Sequence, residues 1–129
     1  MKLRKDLEKT VLLWKKEYKK GFTSFMILLL LKEHSMYGYE IKQQLGELTG
    51  EQVQFQDSAV YHILKRMNKK EFVTFEWRKS TKGPKRKYYV ITNTGKQLVK
   101  IFAVEYIRPM SNALNTLMKK HFPDNLKNI

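Results

Sequence analysis

The only imidazoles in the sequence are His34, His62 and His121, and the chain has no cysteine. Nucleophilic or metal chemistry would have to be built from these, from carboxylates and from hydroxyls. None of the three histidines has a second ligand at the spacing a metal site needs, such as a partner one helical turn away. Asp57, Ser58 and His62 could be written down as a triad. Asp57 and Ser58, however, stand where a helix begins and read more simply as its caps. No Gly-x-Gly-x-x-Gly stretch and no phosphate loop is present, and the carboxylates are scattered. Without cysteine, disulfides and thiolate sites are excluded, and nothing argues for an oxidising compartment. The expectation is a protein that is not an enzyme and has no metal and no cofactor.

The cations carry a different kind of chemistry. Lys and Arg number 26 against 12 Asp and Glu, a formal charge of +14. Such a chain repels itself and attracts polyanions by steering and counterion release. The charge is also clustered. Arg78, Lys79, Lys82, Lys85, Arg86 and Lys87 lie within ten residues that contain no acid. A second group, Ser58, Tyr61, His62, Lys65 and Lys69, recurs at helical spacing and would share one polar face. Both groups suit a nucleic acid, with base edges or phosphates reached from the helix and phosphates or the minor groove from the basic loop.

These side chains need a scaffold, and 129 residues supply one domain's worth. The hydrophobic fraction of 42% permits a real core. The longest apolar run, Phe25 to Leu31, is only seven residues, against about 20 for a membrane span. The start is basic and amphipathic rather than an apolar run, so no signal peptide is expected. The expected setting is the cytoplasm, with no membrane partner.

Periodicity predicts a helix over 3–19 that ends at Gly21, and a core helix over 24–34 capped by Thr23 or Ser24. A third helix runs 37–48, capped by Ser35, with Ile41, Leu45 and Leu48 in its buried stripe. A fourth begins at Asp57 or Ser58 and buries Val60, Leu64 and Met67, with Ile63 on the flank. Residues 72–77 and 87–91 have strand composition and enclose the Gly83-Pro84 turn, which makes a hairpin. Thr92 or Thr94 caps a last helix from 93 to 121, about 43 Å long if straight. Pro109 should kink or break it. The predicted organisation is an accessory helix (1–21), a DNA-binding domain (22–92), a C-terminal dimerisation helix (93–122) and a loose tail (123–129).

Short helices followed by a basic hairpin make a winged helix-turn-helix: mainly α, with a small β-hairpin. Residues 22–95 resemble the PadR family of transcriptional regulators. The resemblance lies in Leu28–Leu31 followed by Tyr37-Gly38-Tyr39-Glu40-Ile41; in Val60-Tyr61 with Leu64 and Arg66; and in Gly83-Pro84 with Arg86-Lys87-Tyr88-Tyr89 and Ile91-Thr92-Asn93-Thr94-Gly95. It implies a homodimeric repressor that reads DNA through the helix containing Tyr61 and through the wing, with the last helix as dimer contact. Ser58 stands where the family usually has glycine, and His62 where it usually has proline. Both changes bear on the operator sequence and on the exact entry of the helix rather than on DNA binding.

The dimer has a physical argument of its own. Leu98, Phe102, Tyr106, Leu114, Leu117 and Met118 keep helical spacing, and a core of this size cannot cover them all. Leu12, Leu13 and Trp14 have the same need. Pairing the first helix with a partner's last helix would bury both, and a two-fold pair implies a near-palindromic DNA site. Trp14, Phe102, Tyr106 and the methionines would either pack there or line a site for an aromatic small molecule, an inducer whose identity the sequence does not give. Two other readings use the same basic scaffold: a nonspecific DNA-compacting protein, and a winged-helix adaptor for another protein.

Overall fold

In a computed structural model, residues 2–124 are described. The elements are α1 (Lys2–Glu33), β1 (Met36–Tyr37), α2 (Gly38–Leu48), α3 (Asp57–Lys69), β2 (Val73–Arg78), β3 (Arg86–Ile91), α4 (Asn93–Phe102), a π turn (Ala103–Ile107) and α5 (Arg108–His121). The fold is mainly helical with a small antiparallel sheet of order β1-β3-β2. Internal contacts divide the chain into two compact units at residues 96 and 97.

In the first unit the two predicted N-terminal helices are one. α1 runs unbroken through Gly21 for 32 residues, about 48 Å. A glycine inside a helix costs only about 1 kcal/mol, and no proline follows to enforce a stop. The C-terminal third of α1 buries Ile27, Leu28, Leu30 and Leu31. Each such side chain contributes about 2 kcal/mol, so anchoring one end readily carries the helix past one glycine. Leu29, expected in the core, faces out instead.

The sheet gains a third strand that the sequence hid. Met36 pairs with Tyr89 and Tyr37 with Tyr88, too short a segment to show alternation. Tyr37, expected inside the third helix, is therefore extended and forms the N-cap of α2, and its backbone N–H donates to Glu40 Oε1 at 3.3 Å. Ser35 is not the cap. Ile41 and Leu45 are fully buried on α2, whereas Leu48 in the last turn is exposed. Gln56 occupies the N-cap of α3, which moves Asp57 and Ser58 one and two positions into the helix. Asp57 there takes an ion pair from Lys42 at 3.1 Å.

Alternation along the hairpin sets its two faces. Val73, Phe75, Tyr89 and Ile91, with Met36 beside Tyr89, form the inner face. Glu76, Arg78, Arg86, Tyr88 and Tyr37 lie on the other. Burial pushes the Tyr89 phenol above its ordinary pKa of 10.0, and nearby Tyr61 pushes it the same way.

Thr92 closes this unit. Its hydroxyl accepts from the Gly95 N–H at 3.0 Å, which makes it the cap of α4, and lies 2.7 Å from the Glu71 carbonyl oxygen to which it donates. Its N–H donates to the Phe72 carbonyl at 3.1 Å. Gly95 is consequently pressed onto the start of β2. A Cβ there would collide with the Phe72 carbonyl oxygen and the Ile91 side chain.

In the second unit the helix neither stops nor breaks at Pro109. The π turn precedes it, and residues 102, 107 and 108 all keep right-handed helical angles. The wider turn absorbs the N–H that proline lacks and the room its ring demands. It also corrects a phase. Phe102, Tyr106, Met110 and Leu114 are spaced by four, and each such step overshoots a full turn by about 40°. Three steps drift by about 120°, and the one extra residue of a π turn takes back about 100°. The four side chains thus stay in line, and Phe102 stacks on Tyr106 across the turn at 5.2 Å. Within the tail expected after Pro123, residues 125–129 lie outside the described residues.

Two glycines should respond oppositely to the same change. Nothing approaches a Cβ at Gly21 within 4 Å, so Gly21→Ala should stabilise by up to about 1 kcal/mol. Gly95→Ala should destabilise by about 2 kcal/mol, read by urea unfolding. The raised Tyr89 pKa makes a second prediction. The unfolded chain releases this proton first, so stability is full below about pH 10 and is lost as pH rises towards the folded pKa. Tyr89→Phe should flatten the alkaline limb of a stability–pH curve, and an unchanged limb would remove Tyr89 as its source.

Candidate nucleic-acid interface

α3 is divided cleanly along its length. Val60, Ile63, Leu64 and Met67 are buried, Ile63 more completely than its expected flanking place. At about 100° per residue, Ser58, Tyr61, His62, Lys65 and Lys69 fall on the opposite side, and all five are exposed. Tyr61 is 51% exposed, and its ring meets His62 edge-on at 5.9 Å. The buried stripe is held by α2 and β2, so the helix cannot roll and its offered face is fixed.

The six wing cations fall into two kinds. Arg78, Arg86 and Lys87 lie on the strands rather than in the loop. Arg78 is held by Glu76, with Nε to Oε1 at 2.7 Å, and its guanidinium sits 4.6 Å over the Tyr88 ring. Arg86 sits 4.5 Å over Tyr37. The Lys87 ammonium sits 3.9 Å over Phe75, with Trp77 and Tyr89 within 6 Å. Lys79, Lys82 and Lys85 lie in the connection between the strands, are exposed, and have no ion pair among the described residues. That loop is shaped by Gly83 at φ 110° and by the Ser80 hydroxyl, which donates to the Pro84 carbonyl at 2.9 Å.

The wing base and α3 also meet. Tyr37, Tyr39, Tyr61 and Arg86 line a recess of about 380 Å³ between them. Tyr39, 61% exposed, was missed as a candidate; its place in the Tyr-Gly-Tyr run was the available signal. Trp77 on the wing is equally exposed and was also missed. Neither His34, which bonds the Ser35 carbonyl, nor His121 in the last turn of α5 belongs to this surface's α3 or wing elements.

The surface residues expected at a dimer contact divide differently. Leu12, Leu13 and Trp14 are all exposed, but successive residues point about 100° apart. Trp14 instead belongs to a stripe of Leu7, Val11, Trp14, Tyr18, Phe22 and Leu29, all exposed and spaced by three and four, except for the seven from Phe22 to Leu29. Trp14 and Tyr18 meet edge-on at 6.3 Å, and Tyr18 stacks on Phe22 at 6.5 Å. The stripe was missed because the predicted stop at Gly21 cut it in two. In the second unit, Leu98, Phe102, Tyr106, Leu114, Leu117 and Met118 are all exposed. Among the described residues, no helix is long and apolar enough to cross a membrane.

Comparison with known proteins agrees with this geometry. The profile of the Transcriptional regulator PadR-like family matches residues 27–101. An uncharacterised protein of Lysinibacillus sphaericus is 36% identical over 88 residues, covering 65% of this chain and 81% of that protein. The crystal structure of a PadR-like transcriptional regulator from Bacillus cereus superposes with a TM-score of 0.67 at 29% identity, covering 78% of this chain and 96% of that one. Bacillus subtilis PadR, solved in complex with operator DNA, superposes with a TM-score of 0.57 at 27% identity, over 63% of this chain and 46% of that one. A winged helix whose α3 turns five polar and basic side chains outward, matched by the family over 27–101, is a DNA-binding transcription regulator and not an enzyme: the chain belongs to the PadR-like family.

Proposed function

We propose that the protein is a homodimeric repressor that occupies a near-palindromic promoter site and blocks transcription without chemistry of its own. The observation that carries the reading is the fixed outward face of α3, Ser58, Tyr61, His62, Lys65 and Lys69. A helix offered this way fits the major groove, where Tyr61, His62 and Lys65 read base edges and Lys69 holds phosphate. Lys79, Lys82 and Lys85 contact phosphates or the minor groove, while Arg78, Arg86 and Lys87 act mainly by stiffening the wing. The solved complex of Bacillus subtilis PadR with operator DNA supports DNA as the partner.

Residues 22–92 are the DNA-binding domain in this reading, and 93–122 the dimerisation helix. The stripe Leu7–Leu29 on α1 and the line Phe102–Leu114 supply two long apolar surfaces that a second copy would bury. The protein then acts in the cytoplasm on chromosomal DNA.

The test is selection of random duplexes by the full chain at about 0.15 M salt. A recovered inverted repeat, with half-sites about one helical turn or a multiple apart, is the expected result. Retained DNA without a common sequence would instead favour a nonspecific compacting protein, and no retention an adaptor. On the selected site, replacing Lys79, Lys82 and Lys85 with Gln should reduce the salt slope of binding by up to about three. Tyr61→Ala should weaken the selected site more than random DNA, and equal losses would place Tyr61 outside base readout.

A further inference from the structure

We propose that Trp77 is an uncharged DNA contact: its indole packs on the deoxyribose wall of the backbone between the groove entered by α3 and the tip of the wing. The inference rests on the DNA-binding reading above and adds to it a residue that brings no charge. One face of β2 carries Val73, Phe75 and Trp77, which pass from buried through half-buried to 60% exposed towards the tip. Leaving so large a ring in water forgoes burial that the fold could have used. The ring is nevertheless held. Trp77 stands opposite Lys87 in the strand register, and the Lys87 ammonium lies 5.9 Å from the indole centre and 3.9 Å from that of Phe75. Phe75 meets the indole edge-on at 6.4 Å. A ring already fixed by its neighbours loses little freedom when a partner covers it.

Position decides what the ring can meet. β2 packs on α3, and Trp77 continues the strand face on which Val73 is buried. Its opposite number, Lys87, lines the recess that also holds Tyr61 and Arg86. A duplex whose major groove receives Tyr61, and whose phosphates or minor groove meet Lys79, Lys82 and Lys85, therefore runs its backbone past Trp77. That backbone presents sugars as well as phosphates. The C–H faces of the sugars are its apolar part, which an indole covers while its Nε1–H donates to a phosphate oxygen. Such a contact carries no base information. It fixes the register of the wing on the duplex.

Trp14 and Trp77 are the only tryptophans. The emission of the full-length variant Trp14→Phe therefore reports Trp77, and that of Trp77→Phe reports Trp14. A duplex recovered by the selection above should shift the emission of the first variant to the blue and shield it from acrylamide, and should leave the second unchanged. No change in the first variant, at a concentration where labelled duplex shows it bound, overturns the contact and leaves DNA binding standing. The same shift in both variants also overturns it, because the emission then reports a change of the whole protein. In the otherwise unaltered chain, Trp77→Ala should weaken selected and random duplexes alike by about tenfold and keep the salt slope, since no charge is lost. A reduced slope would mean that the tip lysines had moved, which makes Trp77 a support of the wing and overturns the contact. Full affinity in Trp77→Ala overturns it as well. A chain that binds no duplex removes both the contact and the proposed function.

Discussion

The burial of Val60, Ile63, Leu64 and Met67 against α2 and β2 fixes the rotation of α3, and most of what this protein offers to a partner follows from that rotation. A helix has no intrinsic up or down. Four apolar side chains on one side, each contributing about 2 kcal/mol when buried, decide which five face out. A roll of one residue would bring Arg66 to the front and bury Tyr61 with nothing to take its hydroxyl. The Gln56 N-cap and the Lys42–Asp57 ion pair mark where the helix starts, but the pair is largely exposed and contributes little beside the core.

The wing shows how one charge run can hold two kinds of cation. Arg78 and Arg86 pair across the hairpin on one face and Lys87 lies on the other, and each finds an aromatic ring within about 5 Å. Cation–π contacts at such partly exposed positions contribute of order 0.5–1 kcal/mol each. The three lysines of the tip carry point charges on long flexible stems, the kind of group that meets a phosphate without reading sequence.

The winged helix and the outward face of α3 were legible because both rest on long, regular patterns. The buried stripe of α3 repeats over three turns, and the hairpin is bracketed by Gly83-Pro84. What stayed hidden was local or depended on competition between elements. β1 is two residues and exists only because β3 accepts it. The stop at Gly21 failed because a glycine's local preference is weaker than the packing of Ile27 through Leu31. That one misplaced boundary concealed the stripe running from Leu7 to Leu29 and left Leu12 and Leu13 grouped with Trp14, although they face elsewhere. Gln56 carries no strong capping preference, so Asp57 and Ser58 looked like better caps than the residue that holds the position. The pairing of Arg78, Arg86 and Lys87 with rings required the strand register, which the sequence does not state.

The π turn at residues 103–107 bears on how such a surface can diverge. Adding or losing one residue there would turn everything beyond it by about 100° while shifting it along the axis by only about 1.5 Å. A single-codon insertion or deletion at this point thus acts as an angular dial. In a homodimer of the kind proposed above, such a change after gene duplication would leave two copies with incompatible apolar lines, unable to exchange subunits, while every residue of α3 and the wing stayed the same.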